Sequence, residues 1–164
     1  MSAEERVSLD LGEASISWEL PALARLAGGA ADAPWSLEGE LAEGGLRVLS
    51  IAGSDGTLLA LAALRPPGAA GHGEETVRAV LVRDGQAIEL ETALLSSEHG
   101  PDGVARRVGV ELYERSDSLP LRGGGGATAA RASERDGAKL EVVELATRLE
   151  GQDGVGRFEV LRPL

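Results

Sequence analysis

Thr76-Val77-Arg78-Ala79-Val80-Leu81-Val82-Arg83-Asp84-Gly85-Gln86-Ala87-Ile88-Glu89-Leu90 sets two runs of aliphatic and β-branched residues on either side of an Asp-Gly pair. β-Branched side chains fit an extended, pleated backbone. Asp-Gly supplies the two residues that tolerate the positive φ a two-residue hairpin turn demands. The stretch therefore predicts an antiparallel hairpin: a strand Thr76–Arg83 returns through Asp84-Gly85 into Ala87–Leu95, with Val80 and Val82 close to Ile88 or its neighbours.

The same pattern extends in both directions. Val7, Leu9 and Leu11 alternate with Ser8 and Asp10, and Ile16, Trp18 and Leu20 with Ser17 and Glu19. Trp35, Leu37, Gly39 and Leu41 alternate with Ser36, Glu38 and Glu40. Period two places one set of side chains on a core face and the other in solvent. Further strands are predicted at Leu46–Ile51, Leu58–Leu64, Ala105–Tyr113, Ala138–Leu149 and Val155–Leu161, for about ten in all. Ser54-Asp55-Gly56 and Arg135-Asp136-Gly137 join Asp84-Gly85 as hairpin corners, because Gly accepts positive φ freely and Asp bonds nearby backbone groups. The alternation in Ala138–Leu149 slips by one step at Val143, which predicts a β-bulge in that strand.

Two kinds of segment depart from this pattern. Pro21 to Ala27 predicts a short helix, with Pro in its first turn and Gly28 as its stop. Pro66 to Gly73 and Leu119 to Arg131 read as loops. The second contains Gly123-Gly124-Gly125-Gly126 but no following Gly-Lys-Ser/Thr, so it is not a phosphate-binding loop. A flexible surface loop, or a lid over a barrel mouth, is the expectation there.

Short strands without regular helices between them predict one all-β domain, residues 1–164. Its architecture is an antiparallel lipocalin-like β-barrel or flattened sandwich of about 8–10 strands. A chain of 164 residues can bury about 70% of its unfolded surface. Hydrophobic residues make up 43% of it, but the aromatics are limited to Trp18, Trp35, Tyr113 and Phe158, so the core must be aliphatic. The formal charge of −11, from 27 acidic and 16 basic residues, argues against a nucleic-acid partner. No run of basic residues marks a membrane anchor, no apolar run reaches membrane-span length, and the N-terminus lacks a secretory pattern, so a cytoplasmic location is expected. With no cysteine there is no disulfide and no thiolate metal site. No metal or other cofactor is expected.

Candidate chemistry is sparse. His72 and His99 both lie in Gly-flanked segments, and each reads either as an exposed loop histidine or as a functional one. His99 is the better candidate, because Ser96-Ser97-Glu98-His99 brings hydroxyl, carboxylate and imidazole to a strand end. A Ser-His-Asp hydrolase is excluded by the missing Gly-x-Ser-x-Gly elbow. EF-hand and Gly-Gly-x-Gly-x-Asp calcium patterns are absent too. Trp18 and Trp35 sit on apolar strand faces, as core packing or as walls of a barrel interior; either role predicts low exposure.

Arg148-Leu149-Glu150-Gly151-Gln152-Asp153-Gly154-Val155-Gly156-Arg157-Phe158-Glu159-Val160-Leu161 is the most specific motif in the chain. It resembles the closing motif of lipocalin-like proteins related to bacterial carotenoid hydratases, tocopherol-cyclase-like enzymes and natural-product Diels–Alderases. In those proteins a penultimate strand turns at Gly and returns through Gly-x-Gly-x-x-Glu, matched here by Gly154, Gly156 and Glu159. The resemblance covers roughly the last 90 residues and is specific over the final 15 or so. The chain departs from the family in having half the usual length, few aromatics and no His-Ser-Trp-Gly type segment.

What the resemblance implies is a small hydrophobic metabolite held in a barrel cavity, with cyclisation, hydration or isomerisation of an isoprenoid-like or polyketide-like substrate as the chemistry. Glu159 would be the acid, desolvated so that its pKa rises. His99 and Tyr113 would be polar helpers, and Trp18, Trp35 and Phe158 the apolar contacts. With Arg157 and Glu159 on one strand face and Phe158 and Val160 on the other, a solvated Glu159 is the competing expectation. The alternative function is a non-catalytic barrel or sandwich module that forms a homodimer or binds a protein, and a filled interior would favour it.

Overall fold

The computed structural model describes residues 6–12, 14–28, 34–39, 45–65, 75–135 and 137–163. In chain order the strands are β1 (Arg6–Asp10), β2 (Ala14–Glu19), β3 (Trp35–Gly39), β4 (Leu46–Gly53), β5 (Leu58–Leu64) and β6 (Thr76–Arg83). They continue as β7 (Gln86–Glu89), β8 (Thr92–His99), β9 (Ala105–Tyr113), β10 (Leu121–Arg135), β11 (Ala138–Leu149) and β12 (Gln152–Pro163). One short helix, α1 (Leu20–Ala24), runs into a 3-10 turn at Arg25–Gly28, as the Pro21 and Gly28 signals predict. Every ladder is antiparallel, and the chain is all-β.

The hairpin at 76–90 forms in the predicted register: Leu81 lies opposite Ile88, Val80 opposite Glu89 and Val82 opposite Ala87. Asp84 and Gly85 both take positive φ, 53° and 76°. The expected strand Ala87–Leu95 is instead divided. Leu90 N–H still bonds the Ala79 carbonyl of β6 at 3.0 Å, but Glu91 N–H bonds the Tyr113 carbonyl of β9 at 2.9 Å. At that step the chain leaves one end of the large sheet and joins the other.

That sheet has nine strands in the order β7-β6-β5-β4-β12-β11-β10-β9-β8, and a separate sheet has the order β1-β2-β3. The nine-stranded sheet curls into a half-barrel. Its inner face gathers Leu81 from β6, Leu49 and Ile51 from β4, Leu59 and Leu61 from β5, Val108 and Leu112 from β9, and Phe158 from β12 into one buried cluster. A second cluster lies on the outer face, where β1–β3 and α1 cover β4, β5, β6 and parts of β11 and β12. The molecule is therefore two layers over a filled curl. β4 and β5 are buried on both faces, which is why their sequences read as near-continuous apolar runs.

Two expectations are corrected here. Leu121–Arg135 is a strand and contains the four glycines predicted to be a loop. Gly123 to Gly126 lie between β9 and β11, and a Cβ at Gly124 would meet the Val108 carbonyl and the Gly109 backbone, so Gly123, Gly124 and Gly125, though not Gly126, permit close strand approach. The bulge predicted at Val143 belongs to the partner strand: the register shifts between Ala127 and Ala129 of β10, while β11 runs regularly. Val142 and Val143 are both buried because the outer layer covers one and the curl the other, and this breaks the alternation. The Arg135-Asp136-Gly137 corner is supported by Gly137 at φ +78° and by the Arg135–Ala138 pair, although Asp136 lies outside the described residues. The Pro66–Gly73 segment, with His72, also lies outside them.

Candidate functional site

Alternation in β12 sends Phe158 inward and Arg157 and Glu159 outward, toward the β1–β3 layer. That layer makes the outward positions a buried seam: Arg157 and Glu159 are each 1% exposed. Glu159 is thus not a solvated strand residue. The Trp35 indole N–H of β3 donates to Glu159 Oε1 at 2.8 Å, and the Trp18 indole N–H of β2 donates to Ser50 Oγ of β4 at 3.0 Å. Each tryptophan therefore joins the small sheet to the large one. Both are buried as predicted, but between the layers and not inside the curl.

Charged groups complete the seam. The Arg135 guanidinium at the end of β10 lies 4.0 Å from the Trp35 ring centroid and donates to the Trp35 carbonyl at 2.7 Å. Glu144 Oε1 of β11 accepts from Arg131 at 2.9 Å and from Arg157 at 3.3 Å. Burial pushes the Glu159 carboxyl up, against the opposing pull of the Trp35 hydrogen bond and of the Arg157 and Arg135 charges. Its Oε2 is buried with no hydrogen-bond partner among the described residues. An isolated buried oxygen of this kind favours the protonated acid.

The other predicted site residues do not converge on Glu159. Tyr113 ends β9 opposite Thr92, while His99 ends β8 opposite Ala105. The two are separated by most of the β8–β9 ladder, roughly 23 Å at 3.3 Å per residue. His99 is exposed. Tyr113 donates its hydroxyl to Glu111 Oε2 at 3.1 Å, and that contact with a carboxylate raises its pKa. Phe158 is fully buried within the inner cluster.

Sequence reasoning passed over a polar group inside the curl. Arg47 projects to the inner face of β4 and makes a two-bond pair with Glu75, 3.0 Å from Nε to Oε2 and 2.6 Å from a terminal nitrogen to Oε1. A third contact reaches Ser97 Oγ at 3.5 Å, which links β4 across the curl to β8 at one end of the sheet. The signal was an arginine between Leu46 and Val48 in an apolar run; Arg157, set before Phe158, is its counterpart in β12.

A groove of about 830 Å³ runs across the strands from β8 to β12. Gly109, Gly124 and Gly126 form its floor, while Arg107, Arg122 and Arg148 stand with Glu98, Glu150 and Asp153 along its walls. Arg122 reaches Glu111 at 3.5 Å and Arg148 reaches Asp153 at 3.1 Å, so the walls hold partly self-neutralised charge. Glu159, His99, Tyr113, Trp18, Trp35 and Phe158 do not line it. No group of three or more His, Asp or Glu side chains suited to a metal occurs among the described residues, and no described helix is long and apolar enough to cross a membrane.

No protein-family model matches this chain, and no curated protein matches it either.

Proposed function

We propose that this chain is a non-catalytic β module that works through its outer surface, by self-association or by binding another protein. The observation that carries the reading is the occupied interior: Leu49, Ile51, Leu59, Leu61, Leu81, Leu112 and Phe158 fill the curl with buried side chains. A ligand cavity in a small barrel needs that space free. The acid of the Gly-x-Gly-x-x-Glu motif is enclosed between two sheets, 1% exposed among the described residues and hydrogen-bonded to the Trp35 indole. Native mass spectrometry of freshly purified protein tests the proposal. The expected spectrum shows polypeptide alone, and a stoichiometric apolar metabolite that survives purification would overturn it.

The second reading is the small hydrophobic metabolite, with cyclisation, hydration or isomerisation as the chemistry. Its support is the resemblance of the C-terminal motif to the lipocalin-like enzymes, together with a groove volume in the range of small-molecule sites. The charged groove walls count against an apolar occupant, because Arg107, Arg122 and Arg148 would lose hydration without gaining hydrogen bonds.

A further inference from the structure

β10 is paired unequally along its length. From Leu121 to Gly126 it bonds β9 on one side, while from Gly123 to Arg135 it bonds β11 on the other. β9 begins at Ala105, so Thr128 to Glu134 project beyond it with one backbone edge unpaired among the described residues. Side chains from Ala127 to Glu134 are all exposed, and six of these eight are Ala, Thr or Ser. Arg135 and Ala138 flank a two-residue turn, so they exchange hydrogen bonds, and alternate residues back along β10 do the same with β11. The residues between them, Ala130, Ala132 and Glu134, direct N–H and C=O away from β11. That is an open template for another strand, with no bulky side chain to hold the strand off.

We infer that this edge joins two copies of the chain, β10 to β10 and antiparallel, about a two-fold axis through Ala132. The inference rests on the surface-acting reading above and gives it a partner. The open backbone edge is complementary to its own antiparallel copy, and charge selects the register. Two chains of formal charge −11 repel, but Ala127–Arg135 carries two arginines and one glutamate and is one of the stretches where they can approach. Centring on Arg131 would set that residue against itself, and centring on Ser133 would set Arg131 against Arg135 of the second copy. Centring on Ala132 places Ala132 opposite Ala132, Ala130 opposite Glu134 and Arg131 opposite Ser133, with no like charges face to face. In this register Ala130, Ala132 and Glu134 form about six hydrogen bonds across the axis. The two large sheets become continuous.

Sedimentation equilibrium and native mass spectrometry on the full chain test the dimer. Wild type is expected to dimerise in the micromolar range. Ala132→Pro, which removes a central N–H, and Ala132→Glu, which sets two carboxylates against each other, are each expected to be monomeric with an unchanged far-UV circular dichroism spectrum. Ala132→Glu mixed with Ala132→Lys is expected to form a heterodimer, because opposite charges then meet on the axis. Since Ala132 is exposed, the Glu and Lys variants keep the test valid even if the proline variant fails to fold. A monomeric wild type, a dimer that Ala132→Glu leaves intact, a mixture that stays monomeric, or a foreign polypeptide bound at the edge would each overturn the inference. None of these outcomes produces a bound metabolite, the result that would overturn the surface-acting reading itself.

Discussion

Glu159 couples the two layers to pH. Because burial raises its pKa, the folded chain holds this proton more tightly than the unfolded chain, whose carboxyl titrates near about 4.3. The stabilisation is complete below that value and is lost as pH climbs through the raised folded pKa. Glu159→Gln keeps an acceptor for the Trp35 indole and removes the titration. Denaturant unfolding at a series of pH values should show wild type losing stability above the unfolded carboxyl range, and the variant losing less over the same interval. An identical slope in both would remove Glu159 from the linkage. The residue was singled out in the sequence through its motif, and alternation showed that it shares a strand face with Arg157, but not which way that face points. Its burial was not legible, because the cover comes from Trp35, 124 positions earlier in the chain. Local pattern carries no information about a second layer.

At the scale of elements, the glycine tract of β10 shows where pattern reading fails. Four consecutive glycines lack both the alternation and the β-branched side chains that mark a strand, so Leu119–Arg131 read as a loop. The physical reason for the strand lies in its neighbours: β9 and β11 approach so closely that a Cβ has no room at Gly124, whereas a Cβ at Gly126 meets nothing within 4 Å. Gly124→Ala should therefore cost about 1–3 kcal/mol through strain in the ladder. Gly126→Ala should change stability by less than about 0.5 kcal/mol. Thermal or denaturant unfolding of the two variants distinguishes them, and equal losses would contradict close approach as the cause. By contrast, β5, β6, β9 and β11 match their sequence-predicted bounds, because each combines an apolar periodicity with a clear turn signal or break at its ends. The short helix was readable for the same reason, from Pro21 and Gly28.

For the whole molecule, the all-β antiparallel architecture followed from repeated alternation and Asp-Gly corners. The division into a curled nine-stranded sheet and a three-stranded cover did not, since strand order depends on pairings between distant segments such as β4 with β12. That division changes the functional reading. Trp18 and Trp35, expected as cavity walls or core, pack between the sheets, and the curl fills with aliphatic side chains and Phe158. A chain with only four aromatics builds this interior from many Leu, Val and Ala residues, and among the described residues those on the inner face form one buried cluster. The proposed surface-acting reading rests on that filled interior. A crystal structure determined under xenon pressure tests that claim most directly, because xenon enters dry apolar cavities in proteins. A filled interior predicts no xenon atom among Leu59, Leu61, Leu112 and Phe158, and a well-occupied xenon site there would contradict it.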